Sequence, residues 1–214
     1  MIDHIHIFIL AAGQSHRMGD INKLLLDMEG EPLIARSIRP FLSLFTHIHV
    51  VTGFEAAKVK TALGDTLEGT FGSRGINFIH NPDYEKGQDR SISKAMDAAM
   101  MRAVEDPKID AVILALGDMP FLRCDDLKAL MDHYLRGKRD KICVPFYGQN
   151  RGHPVIIPRI ILENMEGALP RLFMKTHPQS WCKYNAPNAN FITDVDQLPI
   201  EYPHDLPPPT DEKV

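Results

Sequence analysis

Short apolar runs separated by turn residues punctuate the first half of the chain. Ile5 to Leu10, His47 to Val51, Ile76 to Ile79 and Ala111 to Leu116 each have the length of one buried strand, and stretches with helical spacing lie between them. Strands alternating with helices predict an α/β fold built on a parallel sheet. The clearest helix is expected to begin near Ser91, a residue suited to an N-cap, and carries Ala95, Met96, Ala99, Met100 and Ala103 on one face, the methionines as core filler. A second should start around Asp125, with Leu127, Leu130, Met131 and Leu135 on one face and Gly137 just past its end. From Lys141 onward the pattern turns to short strands, VPFY and PVIIP, around the polar loop GQNRGH, which predicts a hairpin laid beside the parallel sheet. His4 and His6 alternate with Ile5 and Ile7, and His47 and His49 repeat the pattern; both pairs read as a solvated strand edge rather than a metal site.

A chain of 214 residues with 44% hydrophobic content suits one well-buried core, expected over residues 1–198. Residues 199–214 hold five prolines and several acids and read as an extended, flexible tail. The net charge of -4 gives no basic field for a nucleic-acid partner. Three scattered cysteines, Cys124, Cys143 and Cys182, fit a reducing cytoplasm. The apolar start is too brief for a membrane span and lacks a basic leader, so no membrane association is expected.

Chemistry concentrates in LAAGQSHRMGDINK, Leu10 to Lys23, which directly follows the first strand. Ala11, Ala12 and Gly13 let backbone amides approach a ligand and form a nest for phosphate oxygens. Arg17 and Lys23 add a planar fork and a point charge. The segment is not a P-loop, since Asp20 follows Gly19, and no GxGxxG is present. Asp118 in LALGDMPFL stands just beyond a buried strand, at the sheet edge where α/β folds bind ligands, and suits Mg²⁺ held by one or two carboxylates plus substrate phosphates. NPDYEKGQDRS, Asn81 to Ser91, places another loop and a helix N-terminus, with Arg90, at the same edge.

The first of these segments resembles the LAAGxSxRMGxxK signature of the nucleotidyltransferases that complete the molybdenum cofactor, and its Ala-Ala-Gly form is similar to their cytidylyltransferase branch. The resemblance extends along most of the chain. It implies a single Rossmann-like, mostly parallel sheet flanked by helices, of the nucleotide-diphospho-sugar transferase type, with a small C-terminal β-hairpin region. It also implies transfer of CMP from CTP, or of another nucleotide from its triphosphate, to the terminal phosphate of a pterin acceptor, with pyrophosphate released. A molybdoenzyme or its chaperone would then receive the product.

By the same resemblance, Leu10, Ala11, Ala12, Gly13, Arg17 and Lys23 wrap the triphosphate, and LGDMP supplies Asp118 as a metal ligand. TDVDQLP resembles the family's DIDTPED segment and offers Asp194 and Asp196, of which Asp196 is the candidate second ligand for Mg²⁺. NPxYxxGxxxS assigns Asn81, Gly87 and Ser91 to the nucleotide. RGHP assigns Arg151 and His153 to the acceptor, and EGALPRLF adds Arg171 while lacking the family's glycine-aspartate pair. Met96 stands where the family helix often has glycine. That departure in EGALPRLF keeps open an enzyme of the same fold acting on a sugar phosphate or another small phosphorylated acceptor, and use of GTP is a further alternative. A catalytically silent nucleotide- or cofactor-binding module is the remaining alternative.

Overall fold

The computed structural model describes residues 1–14, 21–71 and 76–195. Arg17, Asp196 and the proline-rich segment 199–214 lie outside the described residues.

The chain opens with β1 (Ile2–Ala11), then β2 (Asp27–Met28) and β3 (Glu31–Pro32), a small antiparallel pair, before α1 (Leu33–Leu44), β4 (Phe45–Thr52), α2 (Ala56–Phe71) and β5 (Ile76–His80). Next come α3 (Gln88–Glu105), β6 (Ala111–Leu116), α4 (Cys124–Arg136), β7 (Ile142–Tyr147), β8 (Asn150–Arg151) and β9 (Val155–Pro158). Two short helices, α5 (Arg159–Asn164) and α6 (Pro170–Thr176), lead to β10 (Trp181–Asn185).

The main sheet has the order β10-β7-β9-β6-β1-β4-β5, with β8 paired to β7. β1 pairs in parallel with both β4 and β6, so the chain builds outward on one side of β1 and then crosses to the other. That reversal beside β1 is a topological switch point, and the C-terminal ends of β1 and β6 diverge into ligand-accessible loops there. The strands expected as a hairpin form one, β7 and β9 pairing antiparallel, and the hairpin continues the main sheet beyond β6. β9 runs antiparallel between β6 and β7, and β10 pairs in parallel with β7 as an edge strand. VPFY and PVIIP carry enough apolar residues to be buried on both faces, which makes an interior place in the sheet more favourable than a flanking ribbon.

Each face of the sheet is covered by helices. Ile5, Ile7, Ile9 and Ala11 of β1 pack with residues of α1, α2 and α4, while Phe8 and Leu10 pack with residues of α3, α5 and α6. α4 turns Leu127, Leu130, Met131 and Tyr134 inward. Leu135, expected on that face, is exposed, because Tyr134 takes the i+4 position from Leu130. α3 begins three residues before Ser91: its N-cap is Gly87, whose φ of 103° favours glycine, and Ser91 is buried inside the helix. Met96 is core on the α3 face and does not border the cleft described below.

The histidines of β1 and β4 depart most from the sequence reading. β1 is central, so the polar side of its alternation lies under α3 rather than in water. His6 and His49 are 6% and 2% exposed, and their rings share a 3.1 Å hydrogen bond between His6 Nδ1 and His49 Nε2. His47 stacks on His6, and Phe8 stacks on His49. Burial, seconded by His47, lowers the His6 ring to about 4; burial, seconded by His6, lowers the His49 ring to about 3.

Both rings are thus neutral in the folded state, while the unfolded chain protonates them near the ordinary 6.5. Stability is full above that value and is lost progressively as pH falls from there through about 4 and 3, on the order of 3 kcal/mol or more from each histidine. Urea unfolding at pH 7 and pH 4.5 tests this. His49→Leu should lose less stability between the two than the natural sequence does, and an equal loss would assign the pH dependence to carboxylates alone.

Candidate nucleotide-binding site

A cleft of about 450 Å³ opens at the switch point, above the C-terminal ends of β1 and β6. Its floor is Leu10, Ala11, Ala12, Gly13 and Gln14, where the chain leaves β1. Small residues are needed there because neighbouring loops approach closely. A side chain on Gly53 would lie 2.9 Å from the Ala12 Cβ and 2.5 Å from the Tyr84 Cβ, so glycine lets the Tyr84 loop close onto the floor. Gly117 plays the same part beside β6: its N–H donates to the Leu10 carbonyl at 2.9 Å, and a Cβ would press on that oxygen and on Ile34.

Lys23 reaches the cleft from the first residue of a short 3-10 turn. Asn22, which sequence reasoning passed over, is buried and accepts the Leu24 N–H at 3.2 Å, capping that turn, while Leu24 anchors it in the core. Asp118 reaches it from the loop after β6. The two side chains meet: Lys23 Nζ lies 2.6 Å from Asp118 Oδ2, at 14% and 17% exposure. The second oxygen, Oδ1, is buried and has no hydrogen-bond partner among the described residues. An unpaired buried carboxylate oxygen is costly unless something binds it.

Asp194 lines the same cleft, and the adjoining Val195 N–H donates to the Asp118 carbonyl at 3.0 Å, tying the two acidic segments together. TDVDQLP marked the pair Asp194 and Asp196, but nothing in a polar turn tells which acid faces inward. The set Asp118 plus Asp194 is all-oxygen and anionic, which suits a hard divalent cation such as Mg²⁺.

The opposite wall is the segment 81–91. Gly87, Gln88 and Ser91 line the cleft at the N-terminus of α3, where free amides and the helix dipole favour negative charge. Asn81 is placed below this wall. It donates from Nδ2 to Ser91 Oγ at 3.1 Å and accepts the Asp83 N–H at 3.1 Å, so it fixes the loop rather than facing the cleft.

The acceptor candidates lie toward β8 and β9. Gly152 packs so tightly on the backbone of Phe191 that a Cβ would sit 2.0 Å from its carbonyl oxygen, and His153 donates its N–H to the same carbonyl at 2.8 Å. His153 Nδ1 lies 3.4 Å from the Leu114 carbonyl. A carbonyl only accepts, so this contact puts the proton on Nδ1 and leaves Nε2 as an acceptor. Burial lowers the His153 ring below the usual histidine range, against the opposing pull of the Leu114 carbonyl and Asp118. Arg151 is exposed, with its guanidinium against Met174 Sδ at 3.3 Å and over the Trp181 ring. Arg171 is exposed on α6 and does not line the cleft. No helix among the described residues is long and apolar enough to cross a membrane.

Comparison with known proteins follows the same lines. Residues 7–179 match the MobA-like NTP transferase domain. The molybdenum cofactor cytidylyltransferase of Escherichia coli K12 is 27% identical over 199 residues, covering 90% of this chain and 91% of the relative. A nucleotidyl transferase from Methanothermobacter thermautotrophicus superposes with a TM-score of 0.67 at 18% identity, over 90% of this chain and 91% of that one. Rv0371C of Mycobacterium tuberculosis H37Rv, solved in complex with manganese, superposes with a TM-score of 0.59 at 20% identity, over 85% of this chain and 86% of that one. A glycine-bearing cleft floor, a Lys-Asp pair at a switch point and a family match over most of the chain agree, and the chain belongs to the MobA-like NTP transferase domain family of nucleotidyltransferases.

Proposed function

We propose that this protein transfers CMP from CTP to the terminal phosphate of the molybdenum-pterin cofactor, with Mg²⁺, and releases pyrophosphate. The observation that carries the reading is the Lys23–Asp118 pair with its unpaired Oδ1, set at the end of the backbone floor of residues 10–14. The 27% identity to a molybdenum cofactor cytidylyltransferase supports the pterin acceptor, and the manganese complex of a protein of this fold supports a divalent cation.

In this reading the triphosphate lies on the amides of residues 10–14, and Lys23 neutralises its outer phosphates. The Lys23 ammonium now holds the Asp118 carboxylate. Bound nucleotide would draw it onto phosphate and free the whole carboxylate as a ligand. Asp118 and Asp194, with Asp196 as a further candidate, would hold Mg²⁺. When bound, the ion would neutralise charge on the α-phosphate and leaving group. Gly87 and Ser91, which line the cleft at the N-terminus of α3, would face the nucleoside and its first phosphate.

The acceptor's terminal phosphate oxygen attacks the α-phosphorus in line, and the bond to pyrophosphate breaks. The nucleophile is already ionised, so no general base is needed and positioning carries the catalysis. A neutral His153 is consistent with that: its Nε2 suits an N–H donor of the pterin, while Arg151 supplies charge for the acceptor phosphate. Pyrophosphate release with magnesium and molybdenum-loaded pterin, compared across CTP, GTP, ATP and UTP, tests the assignment. Release with CTP is the expected result. GTP preference would move the protein to the guanylyl branch, and release only with a sugar phosphate would replace the acceptor.

A further inference from the structure

A second cluster of chemistry lies at the other end of the sheet. β7 and β6 both run antiparallel to β9, so the N-terminal end of β7 is opposite the nucleotide cleft. There Cys143 of β7 and Cys182 of β10 are direct partners in the parallel register, and partners in register project to the same face. Cys143 is fully buried and Cys182 half-buried. Tyr184, two residues along β10, shares that face, and the ring of His133, in the last turn of α4, packs on it at 5.1 Å between centroids. The helix thereby delivers His133 over the thiol pair. One ring nitrogen of His133 and the two sulfurs all lie within 4.8 Å of one another.

We propose that Cys143, Cys182 and His133 form a three-ligand site for a soft divalent cation, Zn²⁺ being the best fit, separate from the nucleotide cleft. Two thiols and an imidazole are the donor set that selects zinc over magnesium. In a tetrahedral site with Zn–S near 2.3 Å and Zn–N near 2.0 Å, the ligand atoms lie roughly 3.3–3.8 Å apart. The observed cluster closes to that spacing with side-chain shifts of about 1 Å or less, without moving the strands.

Binding releases the thiol protons to solvent and leaves two thiolates against the 2+ charge, so the bound site is neutral despite the basic rim of Arg136, Lys138 and Arg139. That rim surrounds a depression of about 380 Å³, which leaves the fourth coordination position to water or a small anion. The ion would pin the end of α4 to the edge strand β10, so its expected role is structural, stabilising the last-added strand of the sheet.

The test uses the whole purified chain, freed of metal and reduced, titrated with Co²⁺ and then Zn²⁺. One equivalent of Co²⁺ should give thiolate-to-cobalt charge-transfer absorption, which the oxygen ligands of the nucleotide cleft do not produce, and Zn²⁺ should displace it and raise the unfolding midpoint. Removing an outer-shell partner costs about 10–100-fold in metal affinity, so His133→Ala should lose at least about tenfold. Cys182→Ser should abolish the band, and Cys124→Ser should leave it unchanged. Because His133 is exposed and Cys182 only half-buried, these variants test the site even if Cys143→Ser does not fold. Absence of the band in the natural sequence, or its persistence in Cys182→Ser, would overturn the proposal.

Discussion

Replacing Asp118 by asparagine should lower turnover by about a thousandfold or more, because the side chain keeps its shape but loses the charge that the proposed cation would require. Each tenfold loss corresponds to about 1.4 kcal/mol of barrier, so this drop asks for about 4 kcal/mol, within what a single metal-binding carboxylate can supply. The fold should persist. Among the described residues Asp118 is paired with Lys23, and its Oδ1 has no hydrogen-bond partner to lose. Steady-state turnover beside an unfolding curve separates the two effects. Near-normal turnover in a folded Asp118→Asn protein would remove this residue from the mechanism.

The second large effect is expected at Lys23. In Lys23→Gln the pyrophosphate leaving group loses its point charge, and kcat should fall about 100- to 1000-fold, the range for removing one preorganised donor. The nucleotide KM should rise as well, since the same ammonium meets the triphosphate in the ground state. The local backbone should hold, because Asn22 caps the turn and Leu24 anchors it independently of the lysine side chain. A loss confined to KM would mean that Lys23 binds nucleotide without assisting departure of pyrophosphate.

Much of the frame was legible in the residues. The four apolar runs became β1, β4, β5 and β6, and the cleft lies where the first and the last of them end. Lys23 and Asp118 were singled out from motifs 95 positions apart, and they meet across that cleft. What stayed hidden depended on neighbours that local pattern does not specify. His6 and His49 have the alternation of a half-solvated strand, but a central strand has no solvated face, and only the sheet order reveals that β1 is central. VPFY and PVIIP carry a hairpin pattern, yet insertion between β6 and the edge is a tertiary choice.

The same limit operates at the site. Asn81 belongs to a segment that resembles a nucleotide-binding motif, and its side chain is spent on Ser91 and the Asp83 amide, which shape the wall rather than face the cleft. Asp194 faces the cleft from a turn whose acids alternate with apolar residues and carry no inward signal. The Cys143–Cys182 pairing needs the strand register, since 39 positions separate the two residues and no short metal-binding spacing announces them.

The central claim is nucleotidyl transfer to a pterin phosphate, and tracing the label from CTP tests it most directly. With CTP carrying ³²P at the α-position, magnesium and molybdenum-loaded pterin cofactor, the label should appear in a pterin dinucleotide. With the label at the γ-position it should leave as pyrophosphate. Label that remains in CTP under both conditions, with a folded protein that binds the nucleotide, would contradict the account and identify a silent binding module.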